Sequence, residues 1–123
     1  MQDMTGGSLL VIDDDPRIRA LLEIALRRHG YLVHAADCGE VAIELLRKYR
    51  PDAVVLDFNM PGMCGADVLR IMQADRCLRR VPVIVATGQS DLPELRGAFA
   101  TITKPFKLAM LQSVLRDALR SSA

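Results

Sequence analysis

Five short apolar runs recur along the chain, and longer segments with a helical spacing of apolar residues separate them. The runs are rich in β-branched residues and read as almost continuous apolar sequence, which is typical of parallel strands buried on both faces. Such strands are joined by right-handed helical crossovers. We therefore predict an α/β fold, a doubly wound sandwich with helices on both faces of the sheet. The predicted strands are residues 9–12, 31–35, 53–56, 81–86 and 100–103.

The segment after the first predicted strand carries the clearest helix signals. Asp15 can cap this helix, Pro16 suits its first position, and Gly30 follows its last turn. The apolar residues of the segment recur on one face, which we expect to be buried against the sheet. These residues are Ile18, Leu21, Leu22, Ala25 and Leu26.

The remaining interstrand segments also have helical spacing. In the second predicted helix we expect Val41, Leu45 and Ile43 to be buried. The helix between the fourth and fifth strands is predicted to be short, because two glycines and a proline interrupt that interval. The other predicted helices after the first are residues 40–49, 66–74 and 108–119.

Charge and cysteine content limit the possible partners. The 16 basic and 15 acidic residues leave a net charge of +1, which gives no overall field to hold nucleic acid or an anionic membrane. We therefore expect no direct nucleic acid partner and no membrane contact. The three cysteines lack the spacing of a metal site, so we interpret them as reduced thiols of a cytoplasmic protein. Residues 1–7 are predicted to form a flexible N-terminal arm, and residues 8–123 one domain.

Polar residues stand where four of the five predicted strands end. The carboxyl ends of parallel strands meet at one edge of a sheet, and ligands of doubly wound folds bind there, so we expect these residues to converge. No glycine-rich loop precedes a helix at this edge, which argues against a dinucleotide site or a P-loop. In chain order the residues are Asp13 and Asp14, Asp57, Thr87 and Lys104.

The chemistry of this set favours a metal ion and a phosphoryl group. Adjacent carboxylates repel by on the order of a few kcal/mol per pair at an effective dielectric constant of about 20, so the three aspartates need a cation. Mg²⁺ prefers oxygen ligands and is often shared with a phosphate. Lys104 offers a positive charge and Thr87 a hydroxyl donor to phosphoryl oxygens, which leaves Asp57 to attack. Aspartates after strands can also simply cap helices, as we expect of Asp15.

At these residues the chain resembles the receiver domain of two-component response regulators, from about residue 8 to residue 119. Four segments occur in the order of that family, namely "DDD" after the first strand, "LDFNMPGMCG", "VATG" and "TKPF". The resemblance implies a flavodoxin-like (βα)5 sandwich, with a parallel five-stranded sheet in the order 2-1-3-4-5. It also implies that residues 8–123 form the receiver domain.

The resemblance assigns Asp57 as the phosphoacceptor. The implied donor is the phosphohistidine of a sensor histidine kinase or a histidine phosphotransfer protein, and the implied cofactor is Mg²⁺. Asp14 and Asp57 would bind the metal directly, and Asp13 directly or through water. Asn59 would lend its backbone carbonyl to the metal, and its side chain would tune the lifetime of the phosphoryl group. Such a domain is a switch, monomeric or weakly dimeric, that assists its own phosphorylation and hydrolysis and is not an enzyme acting on a separate substrate.

The resemblance also assigns residues around the phosphoryl group. Thr87 and Lys104 would contact it, Pro61 and Gly65 would shape the loop after the phosphoacceptor, and Gln89 would tune the phosphoryl lifetime together with Asn59.

Two features depart from the family pattern. Receiver domains usually carry an aromatic residue three positions before the lysine, and here that residue is Thr101. The interval between the threonine and the lysine is also shorter than usual. In both features the chain resembles receivers of hybrid histidine kinases, or receivers that work alone, more than receivers that drive a DNA-binding domain. We accordingly expect no output domain after Ala123.

Two other functions are compatible with parts of the pattern. A phosphorylation-independent interaction module with a receiver-like fold would explain Thr101. A phosphatase of the haloacid-dehalogenase type would also use an aspartate nucleophile, but it needs a second aspartate where this chain has Asn59, and a cap domain for which there is little room. Turnover of a small phosphate ester would support the phosphatase.

Overall fold

A computed structural model describes residues 7–60, 62–63, 65–88 and 97–121 of the chain. Five strands form, as the apolar runs predict, and within the described residues a helix follows each of the first three strands and the fifth. The boundaries agree with the predicted ones to within two residues. A short 3-10 turn, Leu78–Arg80, precedes the fourth strand. The elements are β1 Ser8–Ile12, α1 Pro16–Arg28, β2 Leu32–Ala36, α2 Gly39–Tyr49, β3 Ala53–Asp57, α3 Gly65–Ala74, β4 Val83–Thr87, β5 Ala100–Thr103 and α4 Leu108–Ser121.

The five strands form one parallel sheet in the order β2-β1-β3-β4-β5. The prediction of a flavodoxin-like doubly wound fold is therefore confirmed. β1 pairs with β2 on one side and with β3 on the other, so the strand order reverses beside the carboxyl end of β1, where such folds bind ligands. The predicted short helix between β4 and β5 falls mainly on residues 89–96, which lie outside the described residues.

Side chains of β1 alternate between two cores, one on each face of the sheet. Leu10 and Ile12 belong to the core covered by α2 and α3, and Leu9 and Val11 to the core covered by α1 and α4. All four side chains are at most 1% exposed. Burial on both faces explains why the strands read as continuous apolar runs. Among the described helices, none combines the length and apolar character that a bilayer crossing requires.

The predicted buried face of α1 is partly wrong. Leu22 and Leu26 are buried, whereas Leu21 is 64% exposed and Ile18 is 36% exposed. The apolar stripe of the helix is wider than the strip that contacts the sheet, so the residues at one edge of the stripe remain in solvent.

The side of α2 that is buried also differs from the predicted one. Ile43 is buried as predicted, but Val41 is exposed and Leu45 only half-buried, whereas Ala42 and Leu46 are fully buried. Ala42 faces the sheet because its small side chain allows close packing. The prediction followed the spacing of the larger apolar residues and therefore did not identify this face of α2 as the buried one.

Candidate functional site

Four of the five predicted polar residues come from three neighbouring strand ends. Asp13 follows β1, Asp57 ends β3 and Thr87 ends β4, and each of the three residues is at most 4% exposed. Asp14 is exposed at the rim. Oxygen atoms of the Asp13, Asp14 and Asp57 carboxylates lie within 4.8 Å of one another. The structure thus gathers three acidic groups at the point where the strand order reverses.

Lys104, the fifth residue, lies directly against two of these carboxylates. Its Nζ is 3.0 Å from Asp57 Oδ1 and 3.6 Å from Asp13 Oδ2. Its backbone N–H donates to the Thr87 carbonyl at 2.6 Å, which fixes the loop after β5 to the end of β4. A cis peptide bond joins the lysine to Pro105.

The charge of Lys104 is maintained by its neighbours. Burial is the largest single influence on its pKa and lowers it. The hydrogen bond to Asp57 and the negative charges of Asp13 and Asp57 together outweigh burial, so the pKa of Lys104 lies above its ordinary value. The ammonium therefore remains a permanent cation beside the buried aspartates.

The turn between β1 and α1 is held by a dense set of hydrogen bonds. Asp13 Oδ1 accepts from the Asp15 N–H at 2.9 Å, and Asp15 in turn caps α1 by accepting from the Arg17 N–H at 2.9 Å. The Arg19 guanidinium donates to the Asp13 carbonyl at 2.9 Å. The predicted cap at Asp15 is present, and the bond from Arg19 is one that the sequence analysis missed.

A sequence signal for Arg19 does exist. Arg19 precedes Leu22 by three residues and Leu26 by seven, so it belongs to the buried stripe of α1. A charged residue in a buried stripe requires a polar partner, because an unpaired charge there is costly.

The loop after Asp57 is packed tightly through glycine. A Cβ at Gly65 would lie 2.8 Å from Phe58 Cα and 3.1 Å from the Asp57 carbonyl oxygen, so only glycine lets α3 begin against the end of β3. The Asn59 N–H donates to Asp57 Oδ1 at 3.2 Å, and the Asn59 side chain is exposed. Two residues to which the sequence analysis assigned roles, Pro61 and Gln89, lie outside the described residues.

A second close approach joins this loop to α2. A Cβ at Gly39, the first residue of α2, would lie 2.7 Å from both Cγ and Sδ of Met63. Met63 therefore occupies the space that a side chain at position 39 would need.

The donor set fits a hard divalent cation. Within the described part of the chain, all the side-chain candidates in the cluster are carboxylate oxygens, and no histidine or cysteine is among them. Oxygen ligands of this kind are typical of Mg²⁺, whereas zinc prefers nitrogen and sulfur. Asp13, Asp14 and Asp57 are accordingly the residues that could hold Mg²⁺.

Replacing Lys104 with alanine should destabilise the metal-free protein, because Asp13 and Asp57 would be buried together without a cation. Removing one partner of a buried ion pair costs roughly 3–5 kcal/mol. The Lys104 side chain is 30% exposed, so we expect a loss of about 1–3 kcal/mol in the free energy of unfolding. Mg²⁺ binding should persist, since an ammonium group is not a metal ligand.

Urea unfolding in EDTA and calorimetric titration with Mg²⁺ measure these two effects. Lys107→Ala, which removes an exposed lysine three residues away, is the matched control. Parental stability of Lys104→Ala in EDTA, or loss of its Mg²⁺ affinity, would contradict this role for Lys104.

Comparison with known proteins identifies related sequences. A family model of the response regulator receiver domain matches residues 9–116. The chain is 37% identical to the DNA-binding response regulator MtrA of Mycolicibacterium smegmatis, over 96% of this chain and 53% of the relative. It is 38% identical to the transcriptional regulatory protein AfsQ1 of Streptomyces coelicolor, over 92% of this chain and 51% of the relative. The chain thus spans about half the length of these curated relatives.

Solved structures give the same fold. The receiver domain of sensor histidine kinase PA1611 from Pseudomonas aeruginosa superposes with a TM-score of 0.87 and is 29% identical, over 94% of this chain and 99% of that one. That structure has a magnesium ion coordinated in its active site cleft. The matches therefore include receivers of a sensor kinase as well as DNA-binding regulators.

Proposed function

The chain belongs to the receiver domain family of two-component response regulators and is a phosphorylation switch, and from this membership we propose that Asp57 is its phosphoacceptor. The observation that supports this proposal most directly is the environment of the Asp57 carboxylate. Its Oδ1 accepts from Lys104 and from the Asn59 N–H, and two further carboxylates lie within 4.8 Å. Among the described residues, no hydrogen bond engages Oδ2. That oxygen is the one we assign to the attack on phosphorus.

The proposed reaction is phosphoryl transfer from a phosphohistidine. Asp57 Oδ2 attacks phosphorus, the P–N bond breaks, and the imidazole nitrogen keeps the electron pair, so that an acyl phosphate forms on Asp57. We assign to Lys104 and to the Thr87 hydroxyl the stabilisation of negative charge on the phosphoryl oxygens. Mg²⁺, when bound by Asp13, Asp14, Asp57 and the Asn59 carbonyl, would neutralise further charge on the phosphoryl group.

Hydrolysis resets the switch. Water attacks phosphorus, the bond between phosphorus and the acyl oxygen breaks, and the Asp57 carboxylate is regenerated with release of inorganic phosphate. The Asn59 side chain is exposed two residues after Asp57, and we assign to it, together with Gln89, the tuning of the phosphoryl lifetime. No separate substrate is turned over in this cycle.

The direct test of the proposal uses acetyl phosphate and Mg²⁺. We expect intact-protein mass spectrometry to show the addition of one phosphoryl group, labile as an acyl phosphate. Absence of any addition would overturn the proposal.

An apolar groove beside the site suits the phosphohistidine donor. The groove, of about 540 Å³, runs between α1 and the segment that follows Lys104, and we call it the α1 groove. Ile18 and Leu21 line it on one side, and Pro105 and Phe106 on the other. Lys104 also lines the groove and contacts Asp57, so the groove extends to the proposed phosphoacceptor. We assign the α1 groove to the phosphohistidine-bearing helix of a sensor kinase or histidine phosphotransfer protein.

Leu21→Glu should slow phosphorylation by a phosphorylated histidine phosphotransfer domain roughly tenfold or more, mainly through a higher KM. Burying a leucine at an interface is worth about 1.5–3 kcal/mol, and 1.4 kcal/mol corresponds to a factor of ten. Labelling by acetyl phosphate should stay unchanged, because a small donor needs no docking surface. Stopped-flow or gel-based transfer assays measure the effect.

Ile24→Glu is the matched control for this variant. Ile24 is 54% exposed on α1 but does not line the α1 groove. Equal slowing by both variants would mean that the effect comes from charge on α1 and not from docking in the groove.

One observation favours a second candidate function. Thr101 lies exposed on β5, where it pairs with Val85, and its small side chain can bury little area, worth under about 1 kcal/mol. An interaction module whose binding does not depend on phosphorylation would need no larger residue there. Partner binding that is equal for phosphorylated and unphosphorylated protein would support that alternative.

We place the domain, residues 8–123, in the cytoplasm. Cys38 and Cys77 are both free thiols, which suits a reducing compartment. We propose a monomer or weak dimer with no direct nucleic acid or membrane contact in this domain.

A further inference from the structure

The first turns of α1 carry two arginines with different surroundings. The Arg17 side chain is 93% exposed and only its Nε approaches Asp15, at 4.0 Å. Arg19 is half-buried, and its Nη1 donates to the Asp13 carbonyl at 2.9 Å. Two residues of equal charge on one helix thus differ in burial, and of the two Arg19 is the one whose side chain bonds Asp13.

The Asp13 carbonyl controls the orientation of the next residue. The Asp13 carbonyl and the Asp14 N–H belong to one rigid peptide plane, so holding the oxygen fixes the direction in which Asp14 leaves β1. The Asp13 N–H donates to the Ala36 carbonyl at 3.1 Å, and Asp13 Oδ1 accepts from Asp15. With Arg19, three hydrogen bonds fix Asp13.

Asp14 depends on this support. Its side chain is exposed, and among the described residues no hydrogen bond holds its carboxylate. Asp14 nevertheless brings an oxygen to within 4.8 Å of those of Asp13 and Asp57. Its position is therefore determined by the backbone, and the hydrogen bond from Arg19 holds the carbonyl of the peptide that leads into Asp14.

We propose that Arg19 is a positioning residue, which holds the peptide between Asp13 and Asp14 so that both carboxylates face the metal position. The inference rests on the proposed function, in which these aspartates hold Mg²⁺. As far as the described residues go, Arg19 binds a backbone carbonyl and no carboxylate, so it does not compete with a metal ion for the aspartates as Lys104 does.

Positioning and simple electrostatics predict opposite results. Removing a positive charge near the site reduces repulsion of a cation, so electrostatics alone would tighten Mg²⁺ binding in Arg19→Ala. Loss of positioning weakens binding, because Asp14 is then free to sample other directions. Residues that orient metal ligands typically contribute 10–100-fold to affinity, and we expect Arg19→Ala to weaken Mg²⁺ binding roughly tenfold.

The test compares Mg²⁺ affinity by isothermal titration calorimetry in Arg19→Ala, Arg19→Lys and Arg17→Ala. Arg17→Ala removes the same charge without touching Asp13, and should change affinity less than about twofold or tighten it slightly. Arg19→Lys keeps a donor that can reach the carbonyl and should recover part of the loss. If Arg19→Ala does not fold, Arg19→Lys takes its place in the comparison with Arg17→Ala.

Phosphorylation by acetyl phosphate provides a second readout. In Arg19→Ala the Mg²⁺ concentration for half-maximal rate should rise roughly tenfold, while the rate at saturating Mg²⁺ stays within about twofold of the parent. A purely structural role would lower the free energy of unfolding and leave the Mg²⁺ affinity of the folded protein unchanged, which would overturn the inference. Equal Mg²⁺ affinities of Arg19→Ala and Arg17→Ala would overturn it as well. A parent protein that binds Mg²⁺ but accepts no phosphoryl group would instead refute the proposed function, and the order of affinities would still decide the role of Arg19.

Discussion

Replacing Asp57 with asparagine is expected to abolish labelling by acetyl phosphate and Mg²⁺. The amide has nearly the shape of the carboxylate but no anionic oxygen to attack phosphorus. Removing the nucleophile is among the largest single-residue effects in group-transfer chemistry, so we expect a loss of at least about a thousandfold in rate. Mass spectrometry of the intact protein, with time points over the parent reaction, measures it.

A matched carboxylate is available as a control. Asp37 follows β2 at the same edge of the sheet and is exposed, and it does not belong to the acidic cluster. Asp37→Asn should be labelled at the parental rate. Parental labelling of Asp57→Asn would show that another residue accepts the phosphoryl group, and the assignment of Asp57 would then be wrong.

Mg²⁺ is expected to raise the stability of the protein substantially. A ligand that binds only the folded state stabilises it by about 2.7 kcal/mol at a hundred times its dissociation constant. For a chain of 123 residues, this corresponds to a rise in Tm of roughly 10 °C. Asp14→Asn should remove most of this gain by removing a ligand, and should slightly stabilise the metal-free protein by relieving repulsion with Asp13 and Asp57.

Thermal melts with EDTA and with increasing MgCl2 test this expectation. NaCl at matched ionic strength separates specific binding from general screening of the acidic edge. A parental Tm that does not respond to Mg²⁺, or an Asp14→Asn variant that keeps the full rise, would contradict the assignment of the metal site.

The strand ends were the most predictable part of the molecule. A carboxylate or lysine that directly follows an apolar run must lie where the chain leaves the core, and in a parallel sheet these points share one edge. This reasoning located Asp13 and Asp57 from the sequence alone. The sheet order and the family followed from the resemblance, and the structure and the comparisons confirm both.

Side-chain detail on the helices was less predictable. The exposure of Leu21 and Val41 depends on how each helix rotates against the sheet, which neighbouring side chains decide together and the period of one helix does not record. The contact of Arg19 with Asp13 depends both on which side of α1 faces the sheet and on the conformation of the turn between β1 and α1. The sequence around the two arginines shows that Arg19, and not Arg17, makes this contact only once the buried side of α1 is known.

The close approach of Gly39 and Met63 couples the two positions. A Cβ at position 39 would lie 2.7 Å from Cγ and Sδ of Met63, so a larger residue there requires the Met63 side chain to move. We therefore expect Gly39→Ala to cost less stability when Met63 is shortened to alanine in the same protein. Through this one contact, the first turn of α2 and the loop after Asp57 constrain each other's sequence.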